Sequence, residues 1–171
     1  MGGVTTRDPR AAGWTAAAHP VTDPESAALL RAYYVELIER YYGRPTDDAE
    51  VDAVLAEEPS GDLALPTGEF LVARRDGKPG GCVGVRVLDA GTAELTRMYV
   101  SPPARGAGVA RLLVGAAEAV AREEFGAARM RLDTRKDLVE ARSLYAGLGY
   151  GEIAPYNDSP YADHWFEKPL R

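Results

Sequence analysis

Tyr99-Val100-Ser101-Pro102-Pro103-Ala104-Arg105-Gly106-Ala107-Gly108-Val109-Ala110-Arg111-Leu112-Leu113 is the stretch on which the fold turns. It begins as the end of an apolar β run, is broken by two prolines, and passes through a glycine-bearing loop straight into a helical pattern. The first N–H groups of a helix have no partner inside it, and the helix dipole adds to their attraction for negative charge. Glycine at 106 and 108 lets a ligand approach the backbone closely. The stretch therefore predicts a cradle for a phosphate or pyrophosphate.

Two familiar cradles are excluded. A triphosphate-hydrolysing loop needs Gly-Lys-Ser/Thr, which occurs nowhere in the chain. The dinucleotide fingerprint needs a third glycine where Arg111 stands, and its strand belongs to a βαβ unit, whereas the strand here closes a meander.

Upstream, residues 70–74, 82–88 and 93–100 read as three strands joined by short Gly-bearing turns, which implies antiparallel pairing. Val83, Val85 and Val87 share one face of the second. Before them, Thr22-Asp23-Pro24-Glu25 starts a helix in which Leu30, Tyr33, Tyr34, Leu37, Ile38 and Tyr41 recur at spacings of three and four, and Gly43 with Pro45 ends it. A second helix is predicted over 47–57, with Val51, Val54 and Leu55 inward. Residues 14–18 read as a first strand and residues 1–13, with Gly2, Gly3, Pro9 and Gly13, as a flexible N-terminal tail ahead of one domain, 14–171.

Downstream, Val109, Leu112, Leu113, Ala116, Ala117 and Val120 mark a long amphipathic helix leading to a strand over 129–134. The crossover makes that strand a parallel neighbour of 93–100. Leu138, Ala141, Leu144, Tyr145 and Leu148 trace a further helix stopped by Gly149, and 151–156 with 164–168 complete the sheet. The class is α+β, with a mixed sheet flanked by about four helices.

The 171 residues fit one domain of about 150 residues. With 46% hydrophobic and 27% charged residues the composition is that of a globular chain. A net charge of −6 argues against nucleic acid as the main partner. Cys82 is the only cysteine, and His19 and His164 are the only histidines, so neither a disulfide nor a metal centre is expected. No apolar run is long enough to span a membrane, and a cytoplasmic protein is expected. Residues 23–62 hold eleven acids against Arg31, Arg40 and Arg44. That excess reads either as the solvated side of two helices or as attraction for a cationic acceptor.

Arg105-Gly106-Ala107-Gly108-Val109-Ala110 resembles the pyrophosphate motif (Gln or Arg)-x-x-Gly-x-(Gly or Ala) of the GNAT superfamily of acetyl-CoA-dependent N-acetyltransferases. Met98-Tyr99-Val100-Ser101-Pro102 is similar to the strand end and proline loop that precede it there. The likeness continues through Leu132-Asp133-Thr134 and Ala141-Arg142-Ser143-Leu144-Tyr145 to Gly149-Tyr150. It is specific from about Glu94 to Tyr150 and looser elsewhere. The resemblance implies a mostly antiparallel central sheet whose strands splay at the CoA site.

It also implies roles. Backbone N–H groups of Arg105, Gly106, Ala107, Gly108, Val109 and Ala110 would bind the CoA pyrophosphate, and the main chain at Met98, Tyr99 and Val100 would meet the pantetheine arm as an added strand. Thr134 and Ala141 fall at further coenzyme contacts. Arg111, Arg105 and Arg135 are candidates for the adenosine-side phosphates or, equally, solvated arginines. Glu94 corresponds to a strand glutamate that acts as base in several relatives, on one face with Thr96, Met98 and Val100 by parity. Tyr145 stands where many members place the tyrosine that protonates the CoA sulfur, in a context that also suits a core aromatic. An N–H near Met98 is the expected oxyanion donor. Leu138 replaces an asparagine common in the family, which removes a side-chain amide contact to pantetheine. Cys82 reads as core.

Acceptor selection falls to the first helices and the last strand pair, where Tyr33, Tyr34, Tyr41, Tyr42, Tyr156, Tyr161, His164 and Trp165 supply aromatic surface. The expected reaction is direct transfer of acetyl from acetyl-CoA to a primary amine of a small molecule. A protein lysine or N-terminus as acceptor, and a non-catalytic acyl-CoA-binding module, are the alternatives. Homodimers are frequent among look-alikes, but nothing in the sequence specifies an interface.

Overall fold

The computed structural model describes residues 6–171. Eight strands form one sheet: β1 (Thr6–Arg7), β2 (Thr15–Ala18), β3 (Gly68–Arg75), β4 (Lys78–Asp89), β5 (Thr92–Val100), β6 (Arg129–Thr134), β7 (Gly151–Ile153) and β8 (His164–Pro169). Their order is β1-β2-β3-β4-β5-β6-β8-β7, and every pair is antiparallel except β5 with β6. The helices are α1 (Pro24–Tyr42), α2 (Asp48–Glu57), α3 (Val109–Glu123) and α4 (Val139–Gly147), with a single 3-10 turn at Pro102–Ala104.

The punctuation residues act as their chemistry dictates. The Asp23 carboxylate accepts from the Glu25 N–H at the start of α1, and Asp47 does the same for Glu50 at the start of α2. Gly43 closes α1 in the left-handed conformation, its N–H on the Glu39 carbonyl. The turn between β3 and β4 is shorter than the gap left between the expected strands 70–74 and 82–88. Asp76 and Gly77 both take positive φ, as a two-residue hairpin requires, and the strand resumes at Lys78.

Two faces of the sheet are covered separately. On one, α3 turns Leu112, Leu113, Ala116, Ala117 and Val120 onto Leu71, Ala73, Val83, Val85, Ala93 and Leu95. On the other, Leu29 and Leu30 of α1 pack with Phe70, Val72, Cys82 and Tyr99. A fully buried Leu or Val contributes about 1.5–3 kcal/mol, so these two layers hold the sheet between them. Val83 and Val85 are buried, whereas Val87, two residues further on, is exposed at the irregular end of β4, where the register with β5 shifts.

The expected tail also departs. Residues 1–5 lie outside the described residues, but Thr6 and Arg7 pair with Ala16 and Thr15, and Ala11 is buried in the α3-side core. The edge of β2 offers open ladder positions, and the short strand takes them.

Close backbone approach gives a test of the β4–β5 contact. A Cβ on Gly81 would lie 2.6 Å from the Tyr99 carbonyl oxygen, main chain that cannot swing aside. Gly81→Ala is expected to cost about 1–3 kcal/mol. Gly115→Ala, inside α3 with open space around it, is expected to gain about 0.5–1 kcal/mol. Thermal denaturation of the two variants checks both signs.

Candidate functional site

The parallel ladder between β5 and β6 covers only Thr92, Ala93 and Glu94 against Arg129, Met130 and Arg131. Beyond Glu94 the strands splay, and a cleft of about 1220 Å³ opens between them. It is bounded by α1, the end of α2, α4 and the loop 154–163, and reaches the glycine loop at Arg105 and Ala110.

A bulge shapes the edge facing this cleft. Gly84 pairs with Thr96 and Cys82 with Tyr99, so Arg97 and Met98 together oppose one residue of β4. Arg97 takes a left-handed φ of 56°, costly for a residue with a side chain. Ser60 Oγ at 3.3 Å and Thr96 Oγ1 at 2.8 Å hold its guanidinium, and Cys82 Sγ donates to its carbonyl at 3.4 Å.

The extra residue inverts the alternation. Leu95 packs on the α3 side but Tyr99 on the α1 side, and Met98 and Val100 pack on the α3 side. The expectation that Glu94, Thr96, Met98 and Val100 share one face is therefore corrected: the bulge separates the first two from the last two.

Main-chain directions follow. The Ser101 N–H donates to the Gly80 carbonyl at 2.9 Å, so by alternation Tyr99 turns its N–H and C=O toward β4 while Met98 and Val100 turn theirs to the gap. The Val100 carbonyl there accepts from Arg105 Nε at 2.9 Å. Past the strand end, the Arg105 N–H, expected in the cradle, is instead taken by the Pro102 carbonyl at 3.3 Å, while the amides of 106–111 meet no acceptor among the described residues. Gly106 and Gly108 have φ of 83° and 77°, a backbone that glycine adopts without strain. Val109 buries its side chain and anchors the loop.

The arginines expected near phosphates divide. Arg105 is turned back onto Val100 and, at 2.6 Å, onto Glu36, while Arg135 donates to the Leu37 carbonyl and to Asp137. Arg111 makes no ion pair among the described residues. Thr134 is buried at the end of β6, its carbonyl accepting from the Asp163 N–H, and Ala141 lines the cleft beside Leu138, Leu144 and Tyr145. Leu138 is the N-cap of α4 and supplies no side-chain acceptor.

Glu94 lines the cleft with its side chain 13% exposed. Burial raises its pKa above the ordinary carboxylate value. The Tyr156 hydroxyl, donating at 2.8 Å, and the Arg86 guanidinium at 3.5 Å pull it partly back. Tyr145 is buried, its ring edge-on to Tyr150 at 5.8 Å, and desolvation keeps its phenol protonated. Tyr150 in turn donates to Glu118, which also binds Lys168, so α3, the turn after α4 and β8 are tied together behind Tyr145. Cys82 is fully buried and burial pushes its thiol up.

Of the expected acceptor-side aromatics, Tyr33, Tyr34, Tyr41, Tyr42 and Tyr161 line the cleft. Tyr156, Trp165 and His164 do not. Tyr156 stands behind Glu94, Trp165 donates to Asn157 at 2.9 Å, and His164 pairs with Glu152. Asn157, which sequence reasoning missed, lines the cleft and bonds Asp133 at 2.8 Å. Arg86, Arg97 and Asp133 were also missed; no local pattern distinguishes them from ordinary strand residues. No described helix is long and apolar enough to cross a membrane.

Residues 30–150 match the sequence model of the Acetyltransferase (GNAT) family. The chain is 36% identical over 112 residues to an IAA acetyltransferase of Azospirillum brasilense, covering 63% of this chain and 72% of that one. The crystal structure of a protein from Klebsiella pneumoniae described as an acyl-CoA N-acyltransferase is similar at TM-score 0.69 and 28% identity, over 92% of this chain and 98% of that one. PaiA N-acetyltransferase from Thermoplasma acidophilum, solved with coenzyme A, has the same fold at TM-score 0.70 and 19% identity, over 91% of this chain and 98% of that one.

The hydrogen bond from Tyr156 favours the charged form of Glu94, so its loss must raise the Glu94 pKa further. Tyr156→Phe is expected to raise it, because a hydrogen bond that favours the charged form is lost. Carboxyl-carbon NMR titration of the two proteins measures the change.

Proposed function

The chain belongs to the acetyltransferase (GNAT) family and is an acyltransferase that uses acyl-CoA, and on that premise we propose that it moves the acetyl group of acetyl-CoA to the primary amine of a small molecule by direct attack in a ternary complex. One observation carries the reading. A single cleft joins an unpaired strand edge, which leads into a loop whose amides 106–111 have no acceptor among the described residues, to a buried carboxylate, Glu94.

The residues present fit the coenzyme. The amides of 106–111 would hold its diphosphate, since that loop offers N–H groups and no competing acceptor. The Met98 carbonyl and the Val100 N–H would pair with the pantetheine arm, the Val100 carbonyl being already engaged by Arg105. Bound there, the coenzyme supplies an acyl group activated as a thioester.

Proton traffic falls to the chain's own groups. An alkylammonium has a pKa of about 10.4, so the acceptor nitrogen must lose a proton before it can attack. Glu94 takes that proton, and its raised pKa reduces the mismatch between base and amine. As the nitrogen–carbon bond forms and the carbon–sulfur bond breaks, the Met98 N–H donates to the carbonyl oxygen and the Tyr145 hydroxyl gives its proton to the sulfur. The bonded nitrogen, still cationic, loses its second proton to solvent, Glu94 releases its proton there as well, and solvent reprotonates Tyr145, so ammonium and thioester give amide, thiol and one free proton.

A small acceptor is supported by the far end of the cleft. Tyr161 of the loop 154–163 meets Tyr41 of α1 edge-on at 5.6 Å, and Tyr41 meets Tyr42 at 5.0 Å. The aromatic closure suits a compact molecule better than a polypeptide segment.

Incubation with acetyl-CoA and pooled amines, followed by mass spectrometry, tests the proposal; absence of any acetylated amine sinks it. Glu94→Gln is expected to lower kcat/KM by about 10²–10⁴-fold. It should also abolish the acid limb of the pH profile, because a base works only when ionised. Tyr145→Phe is expected to lower kcat while leaving the calorimetric Kd for coenzyme A unchanged.

A further inference from the structure

Five arginines line the cleft. Arg40 pairs with Glu140, Arg86 with Asp62 at 3.3 Å and Glu94 at 3.5 Å, Arg105 with Glu36 at 2.6 Å, and Arg135 with Asp137 at 2.8 Å. Arg97 has no carboxylate within ion-pair distance among the described residues. Its partners are neutral: Ser60 Oγ, Thr96 Oγ1 and, at 3.5 Å, the Glu58 carbonyl. They orient the guanidinium without matching its charge.

Beside it lies a second incomplete group. Tyr34 is 3% exposed, its buried Oη makes no hydrogen bond although the exposed Glu58 carboxylate stands close by, and its ring lies under Arg97, whose Cζ is 5.7 Å from the ring centre. A buried hydroxyl left unpaired and a part-buried guanidinium left without an anion both cost free energy in the empty cleft. Both are donors. The complementary ligand group offers acceptors only, carries negative charge and presents two oxygens in a plane.

We propose that Arg97 and Tyr34 bind a carboxylate of the acceptor, which makes the acceptor an amino acid or similar amino-carboxylate; the inference rests on the amine reading above. The ammonium end then faces Glu94, and the exposed Glu58 beside Arg97 and Tyr34 must give way to the ligand carboxylate. A zwitterion matches both signs of charge, as neither a simple amine nor a simple acid does. The bulge that frees the strand edge thus also presents the guanidinium that selects the acceptor.

Matched pairs of acceptors test this: phenylalanine against phenethylamine, and leucine against 3-methylbutylamine. The carboxylate member is expected to be preferred by at least about tenfold in kcat/KM, the worth of a charged hydrogen bond. Arg97→Met and Tyr34→Phe are each expected to bring the ratio to within about threefold, mainly through KM. Tyr34→Phe removes a hydroxyl that has no partner to lose, so its Tm should not fall, which keeps the test clear of misfolding. A second readout needs no turnover. In the presence of saturating coenzyme A, calorimetry should show N-acetylphenylalanine binding at least about tenfold more tightly than N-acetylphenethylamine, and Tyr34→Phe should narrow that difference. Equal binding of the two, or equal acetylation of each pair, overturns the carboxylate site while leaving the amine reading standing. Selective binding without acetylation of any acceptor overturns the amine reading and upholds the site.

Discussion

Three residues of β5 pair with β6 and the remaining six do not. That early end to a ladder is the constraint on which the site depends. An open strand edge is unfavourable by itself, because each residue on it leaves polar main-chain groups to solvent. It persists here because the strand is held by other means. β4 continues to pair along its opposite side, Tyr99 is buried among α1 residues, and Met98 and Val100 pack toward α3. A strand pinned on both faces and one edge can leave its other edge free, and the bulge at Arg97 aims that edge into the cleft.

Much of the fold was legible because the signals are local. Asp23, Gly43, Asp47 and Gly149 mark helix ends through bonds to residues two to four positions away, and strand periods of two survive wherever one face is buried. The glycine loop was legible for the same reason, since φ at Gly106 and Gly108 is a property of each residue alone. The bulge was not. Its left-handed residue is an arginine, without the glycine or asparagine that usually signals that conformation. What stabilises it there comes from Ser60, 37 positions upstream, and from the neighbouring Thr96. A parity argument run through residue 97 therefore places every later side chain on the wrong face. Tyr156 and Trp165 failed as cleft residues for a related reason: they belong to a loop and a strand end whose path depends on Asn157, Asp133 and Glu94.

The acidic excess of residues 23–62 has a mostly structural explanation. Glu25, Glu36, Asp48, Glu50, Asp52 and Asp62 each meet an arginine, and Asp23 and Asp47 cap helices. Several of these pairs join α1 and α2 to one another or to the sheet: Arg31 of α1 to Asp48 and Asp52 of α2, Glu36 to Arg105, Glu25 to Arg74. Exposed pairs of this kind contribute about 0–1 kcal/mol each, so their effect is less to stabilise the helices than to set where they stand. The helices in turn set the width of the acceptor end. Net charge along a segment thus says little about the ligand until the charges used internally are subtracted.

The two halves of the cleft are made of different atoms, and this decides what a sequence can disclose about each. The half that fits the coenzyme is main chain: a strand edge and a run of amides, which almost any residues supply provided two glycines allow the loop its φ. Its signature is therefore short and survives wide divergence elsewhere. The acceptor half is built from side chains on α1, the end of α2, β5 and the loop 154–163, each free to change without disturbing the fold. In such a surface most polar groups have already found partners within the chain, and those report on folding. A group whose bonding is incomplete in the free protein is different, because folding gains nothing from leaving it so. In this cleft Tyr34 Oη makes no hydrogen bond and Arg97, its nitrogens bonded to neutral oxygens, meets no carboxylate among the described residues.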